Sequence, residues 1–214
     1  MSPELSRAVF VVVVLLVLGW FAVGTQFNVR TGNRLLGRLQ DGLTLLGKRT
    51  TLRWLGSSAV ELKVQTALPP LRSAEVFIVL EPRDLPLLWW VFRARGRRDL
   101  LILRGELRSA PRFEFEALDA RAWSTRGIER ALKGNQWTLV AVPPPSTMIA
   151  YAHGRTEAVG ELLALATIPG LTLVRLAVHR SAPNLELQWQ VGAMDGIDAR
   201  RVVGSLHRLA EQVC

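Results

Sequence analysis

The chain reads as an α+β protein held to a membrane: a single N-terminal transmembrane helix, then an amphipathic helix, then two lobes of order ββαββα. Three observations predict this. Residues 8–25 (AVFVVVVLLVLGWFAVGT) carry no charge and approach the ~20 apolar residues that a bilayer core requires. The following stretch, RTGNRLLGRLQDGLTLLGKRTTLRW, sets leucines at helical spacing among arginines. Beyond Trp54, short alternating or β-branched runs bounded by proline and glycine interleave with short helical segments. The divisions expected are a tail over 1–7, the span over 8–25, a basic juxtamembrane helix and linker over 26–55, and lobes over 56–134 and 135–214.

The apolar run also fits a cleaved signal peptide, with Arg7 as its basic flank and Ala22, Val23 and Gly24 as a cleavage region. Glu4 offsets Arg7, however, and Trp20 and Phe21 suit an interfacial aromatic anchor, so a retained span is expected. Basic flanks stay on the cytoplasmic side of a span. Arg30, Arg34, Arg38, Lys48, Arg49 and Arg53 follow it against Asp41 alone, whereas Arg7 and the α-amine precede it against Glu4. The domain is therefore expected in the cytoplasm, at the inner membrane of a bacterium or the endoplasmic-reticulum membrane of a eukaryote. The one cysteine, Cys214, agrees with that, because a single thiol builds no internal disulfide.

In the juxtamembrane stretch Leu35, Leu39, Leu43 and Leu46 form one stripe with Leu36 beside it, and Arg34, Arg38, Asp41 and Lys48 stay largely off it. Gly32, Gly37, Gly42 and Gly47 each cost about 1 kcal/mol relative to alanine in a helix interior. Such a helix needs a surface to lie against. One is the bilayer interface, with Trp20 as anchor, Arg30, Arg34 and Arg38 at the phosphates and Leu35, Leu39, Leu43 and Leu46 in the acyl boundary; the other is the protein's own domain.

The remaining elements follow in order. Residues 59–67 and 74–82 read as a hairpin around Pro69 and Pro70. Asp84 is placed to cap a helix through LPLLWWVFRARG, with Pro86 in its first turn and Gly96 ending it. Residues 99–108 and 112–120 read as strands, the second alternating Phe113 and Phe115 with Glu114 and Glu116, the glutamates facing solvent. A helix covers 123–134. Strands over 136–142 and 147–154 flank Pro143, Pro144 and Pro145, and TEAVGELLALATI makes a helix with Thr156 as cap and Glu157 in its first turn. Residues 171–180 and 184–191 form another hairpin, and 198–214 a terminal helix. Both halves read ββαββα, which suggests a duplication.

No HExxH, CxxC, Walker loop or GxSxG is present. His153, His179 and His207 read as strand-end, hairpin and helix-surface residues, and would make a metal site only if the fold gathered them. No enzyme, cofactor, metal or small-molecule substrate is expected. A net charge of +9 and a pI near 11.2 point to an anionic neighbour, lipid headgroups or nucleic acid. In PRDLPLLWWVFRARGRRD, the aromatic residues Trp89, Trp90 and Phe92 run into Arg93, Arg95, Arg97 and Arg98. These arginines either cap the carbonyls of a core helix or, with Trp89 and Trp90, form a docking element that meets phosphate in lipid or ribosomal RNA. Arg200, Arg201, His207 and Arg208 share the terminal helix with Val202, Val203, Leu206 and Leu209, as in an amphipathic helix that closes a domain.

This succession of a span, GNRLLGRLQDGLTLLG, a hairpin, the RDLPLLWWVFRAR helix, a β-hairpin, a helix and a second α/β half resembles the cytosolic part of the calumin family. The resemblance is carried by Arg83, Asp84, Leu85 and Leu87 and by Leu100, Ile102 and Leu103. Members of that family are coiled-coil-domain-containing membrane proteins of the endoplasmic reticulum, subunits of the PAT complex beside the Sec translocon. Their acidic segment before the span and basic coiled coil after the globular part have no counterpart in these residues. The resemblance implies a non-catalytic, chaperone-like factor in membrane-protein biogenesis, with translocon or insertase subunits and ribosomal RNA as partners. The alternative is a scaffold or assembly subunit of another multiprotein membrane complex.

Overall fold

The helix that begins in the apolar run does not stop where the run stops. In the computed structural model, which describes residues 2–134, 137–144, 146–154, 158–192 and 197–214, α1 is continuous from Pro3–Leu43 over 41 residues. Ser2 caps it by accepting the Leu5 N–H at 3.3 Å, and Pro3 is tolerated because an N–H there would lack a partner anyway. At 1.5 Å per residue α1 is about 60 Å long, roughly twice the ~30 Å of a bilayer core. Its N-terminal half is apolar and almost wholly exposed, and is long and apolar enough to cross a membrane.

Its second half is a packing helix. The buried positions are Gly24, Asn28, Thr31, Gly32, Leu35, Leu39 and Gly42, a seam of three- and four-residue steps that one helix face presents to its neighbours. Leu35 and Leu39 are 1% exposed and Leu46 is fully buried, and Leu43 packs on the same core. This corrects the expectation that Leu35, Leu39, Leu43 and Leu46 enter an acyl boundary: the stripe meets the protein's own domain. The glycines explain why it can. A Cβ on Gly24 would come 2.3 Å from the Arg83 carbonyl oxygen, one on Gly32 2.6 Å from the Trp54 ring and one on Gly42 2.4 Å from the Ala199 carbonyl oxygen. What these positions lose in helix propensity is offset by backbone approach that no other residue allows.

The segment expected as a linker supplies a strand, β1 (Thr50–Trp54). Then come β2 (Ala59–Val64), β3 (Leu71–Val79), α2 (Pro86–Ala94), β4 (Leu100–Leu107), β5 (Glu114–Leu118), α3 (Arg126–Gly134), β6 (Thr138–Val140), β7 (Ile149–His153), α4 (Val159–Ala166), β8 (Leu171–Val178), β9 (Leu185–Val191) and α5 (Ala199–Val213). Among the described residues the strands form one nine-stranded sheet of order β1-β2-β3-β4-β9-β8-β5-β7-β6, antiparallel at every pairing. The β2–β3 and β8–β9 hairpins stand where they were expected, and the strands expected on either side of the proline run pair as β6 and β7. The strands expected as a hairpin over 99–108 and 112–120 do not pair with each other: β4 lies between β3 and β9, and β5 between β8 and β7.

The order ββαββα does occur twice after β1, yet the pairing does not repeat. β3 neighbours β4 directly, whereas β5 of the first half lies between β7 and β8 of the second. With β4 also pairing β9, the halves 56–134 and 135–214 merge into one sheet instead of forming two lobes. Among the described residues the merger leaves two open edges, β1 and β6, where separate sheets would leave four.

One helix start agrees with expectation and one expected cap does not. Asp198 caps α5, its Oδ1 accepting from the N–H groups of Arg200 at 3.0 Å and Arg201 at 3.2 Å. Asp84 does not cap α2, whose N-cap is Leu85; its Oδ2 accepts the Ser57 hydroxyl at 2.5 Å. Gln136, Pro145, Thr156 and Glu157 lie outside the described residues.

One face of the sheet carries the core, where Val60, Leu62, Val76, Ile78, Leu101, Leu103, Leu187 and Trp189 meet Leu35 and Leu39 of α1 and Leu206 and Leu209 of α5. Trp189 ties in α4 by donating its indole N–H to the Ala166 carbonyl at 2.8 Å. The other face carries a ladder of charge. Lys63 pairs with Glu75 at 3.0 Å, Arg104 with Glu186 at 2.6 Å, and Arg175 bridges Glu186 and Glu116 at 2.6 Å each. His179 closes the row on Glu116 at 2.7 Å. Glu116, expected at the solvent side, is fully buried, because α3 and its neighbours cover this end through Leu118, Leu132 and Tyr151. Burial alone would push the Glu186 carboxyl up, but Arg175 and Arg104 outweigh it and hold it below its ordinary 4.5.

Two outcomes follow from these contacts. Gly42→Val should destabilise the protein by about 1–3 kcal/mol through overpacking, whereas Gly37→Ala, with open space at its Cβ, should be neutral or stabilising by up to ~1 kcal/mol; denaturation in detergent measures both. Because the folded carboxyl of Glu186 titrates below its unfolded value, its contribution is full above pH 4.5 and is lost as pH falls through the lower folded value. Glu186→Gln should therefore lower stability at neutral pH and flatten the acid limb of the stability curve.

Candidate functional site at the junction of the apolar helix and the sheet

β3 and β4 are adjacent antiparallel strands, so the chain between them, residues 80–99, must leave the sheet and return at one end. The loop is closed at its base by Glu81, whose N–H donates to Asp99 Oδ1 at 2.7 Å. The Arg83 guanidinium grips the same carboxylate with both arms, at 3.1 Å to Oδ1 and 2.9 Å to Oδ2. This is the forked geometry that makes arginine–carboxylate pairs strong.

α1 docks on that closed loop. Asn28, fully buried, donates its amide to the Glu81 carbonyl at 3.1 Å and accepts from Arg83 at 3.2 Å. Gly24 lies against the Arg83 backbone. Trp20 donates its indole N–H to the Arg83 carbonyl at 2.9 Å, and Phe27 lies under the guanidinium at 5.3 Å. Positions 20, 24, 27 and 28 share one helix face, so a single stripe at the end of the apolar run holds the loop at several points.

α2 leans on the same junction. Trp89 and Arg93, one turn apart, both reach the buried Glu81 carboxylate, the indole N–H at 2.5 Å and the guanidinium at 3.1 Å, and the Trp89 and Trp20 rings are 6.5 Å apart. That face turns inward, and no residue of α2 is buried. Leu87 is 82% exposed and Trp90 70%, with Leu85 and Leu88 also exposed. Gly96 ends the helix at a φ of 83°, a left-handed conformation open to glycine. Arg98 donates to the carbonyls of Arg93 at 3.0 Å and Arg97 at 2.7 Å, while Arg97 sits over the rings of Phe92 at 4.9 Å and Trp123 at 5.4 Å.

The structure thus divides the expected site. It gathers Trp20, Trp89 and Arg93 into one contact. Arg93 and Arg98 serve the fold, one by pairing with Glu81 and one by capping carbonyls. Arg95 and Trp90 are exposed, and Arg97 is half-buried against the aromatic pair. Arg30 and Arg34 are exposed along α1 and Arg38 is half-buried. Missed in the sequence were Glu81, Asp99, Asn28 and Trp123. Asn28 could have been found, since it continues the spacing of Gly24, Thr31 and Leu35 as a polar residue on an otherwise inward face.

The histidines are dispersed: His153 lies 3.7 Å from Glu114, His179 pairs with Glu116, and His207 lies 3.5 Å from Glu211. Among the described residues no group of three or more histidine, cysteine or acidic side chains is placed to hold a metal ion. No protein-family model matches this chain, and no curated protein matches it.

The Arg83 and Asp99 side chains are 18% and 10% exposed, so Asp99→Ala would strand a largely buried guanidinium. The expected loss is about 3 kcal/mol, and Arg83→Ala added to it should cost much less than the sum of the two single variants. A double-mutant cycle by chemical denaturation in detergent checks this.

Proposed function

We propose that this chain is a single-pass, membrane-anchored, non-catalytic factor at the cytoplasmic face of the bilayer, assisting membrane-protein insertion beside a translocon or ribosome. The observation that carries the reading is the docking of Trp20, Gly24 and Asn28 on residues 81–84. An anchor joined by a flexible linker would let the domain roam, whereas a helix that runs unbroken from the apolar run into the domain core holds it at a set distance and attitude to the membrane. That suits a protein whose work is positioning. The basic flank from Arg30 to Arg53 favours a cytoplasmic domain, and the element order supports the calumin-like reading.

A second reading is favoured by the two open edges of the sheet. β1 is exposed along most of its length and β6 carries Leu139 at 65% exposure, so either edge offers unpaired backbone to a partner strand. Under this reading the chain is a scaffold subunit of another multiprotein membrane complex. Purification of the tagged full-length chain in mild detergent separates the two: ribosomes and translocon components accompany it in the first case, and one stoichiometric complex in the second.

Topology is tested independently. Protease added to sealed right-side-out vesicles should leave the sheet domain intact and cleave it only after permeabilisation. Digestion without permeabilisation, or a mature chain that begins near Thr25, would overturn the proposed orientation.

A further inference from the structure

The proposed function leaves one feature unexplained: the outward face of α2. At 100° per residue, Trp89 and Arg93 turn toward Glu81, which leaves Leu87, Leu88, Val91 and Ala94 on the opposite side and Trp90 on its flank; Leu87, Leu88 and Trp90 are exposed and Val91 is half-buried. The only charged residue of PLLWWVFRA is Arg93, whose half-exposed side chain reaches back to the buried Glu81 carboxylate. A helix on a water-facing surface carries polar residues on its outer side; this one carries none.

The level of α2 along α1 follows from its contacts. Trp89 meets Trp20, and the Arg83 backbone meets Gly24, so α2 lies level with the stretch from Trp20 to Phe27, about 10 Å of helix at the end of the apolar run. Leu15, Leu16, Val17 and Leu18 just before it are 55–68% exposed. The apolar surface of α1 therefore meets that of α2 where the Trp20 and Trp89 rings adjoin. Between them lies a crevice of about 280 Å³ lined by Trp20, Val23, Gly24, Phe27, Arg83 and Trp89. The charge of Arg83 is already matched by Asp99, so this crevice offers an acyl chain an apolar wall. At the C-terminal end of α2, Arg95 is exposed and Arg97 stands on Phe92 and Trp123, as cations at a headgroup layer would.

We infer that α2 is a second membrane contact: it lies in the leaflet next to the domain, with Leu87, Leu88 and Trp90 among acyl chains and Arg95 and Arg97 at lipid phosphates. The inference rests on the reading of α1 as a span, and the occupant it commits to is lipid. Two attachments, one across the bilayer and one along its surface, stop the domain from rotating about the axis of α1.

The test uses the full-length chain with Cys214→Ser and single cysteines at Leu87, Trp90, Leu16 or Leu139, each carrying an environment-sensitive fluorophore. The variants are placed in vesicles of phosphatidylcholine with phosphatidylglycerol, with and without brominated acyl chains, and circular dichroism confirms that each is folded. The labels at Leu87 and Trp90 should show blue-shifted emission and bromolipid quenching at a shallower depth than Leu16, while Leu139 reports water. If Leu16 is quenched and both α2 labels behave like Leu139, the inference fails and the span stands. If Leu16 is not quenched either, the span reading fails and takes this one with it. A blue shift at α2 without quenching would mean that a second copy of the chain covers the face, which also overturns a lipid occupant.

Discussion

Everything in this molecule depends on one helix face. Gly24, Asn28, Thr31, Gly32, Leu35, Leu39 and Gly42 are the buried positions of α1, and they perform two different tasks along one stripe. The upper end, Gly24 and Asn28, takes hold of the loop between β3 and β4. The lower end, Leu35 to Gly42, packs on α5 and the sheet. Both ends belong to one unbroken helix, so the apolar half of α1 is joined to the sheet domain without an intervening loop.

The two ends are held by different physics, and the difference follows from where they lie. Along the lower end, leucines bury apolar surface against apolar surface, each worth about 1.5–3 kcal/mol when fully buried. At the upper end the loop must return its backbone groups to the sheet, and buried polar groups are costly unless partnered. Asn28, Glu81, Arg83 and Asp99 satisfy one another there. Such a network is unforgiving of the loss of one member, and it defines a single docked geometry more sharply than a greasy contact does.

The charge ladder on the opposite face shows the same economy. Lys63, Glu75, Arg104, Glu186, Glu116 and Arg175 alternate across strands that come from both halves of the chain. Cross-strand neighbours of opposite sign favour the observed register, and a one-residue slip of any of these strands would turn its charge to the core face. The ladder thus helps to decide how two halves of similar element order combine into one sheet.

Much of the local structure was legible. Period-two alternation located β2, β3, β5 and the β8–β9 hairpin, Asp198 marked the start of α5, and Gly96 marked the end of α2, because each of these depends on residues within a few positions of one another. The apolar run was equally plain. The site was legible in part: Trp89, Trp90 and the arginines after them stood out by composition, but their roles did not. Whether Arg93 is a free cation depends on Glu81, twelve residues away and brought close by the turn of a helix. Whether Leu35 and Leu39 meet lipid or protein depends on α5, more than 150 residues away. Glycine was ambiguous for the same reason, since Gly32 and Gly42 read as weak points in a helix until Trp54 and Ala199 are set against them. The sequence by itself determined the segments, their periodicity and the apolar and basic character of the N-terminal region, all properties of neighbouring residues. Only the tertiary structure decided that β5 crosses into the second half, that Glu116 is buried, and that α1 is one continuous helix docked through Asn28. Each of these turns on a contact between distant residues whose partners no local pattern names.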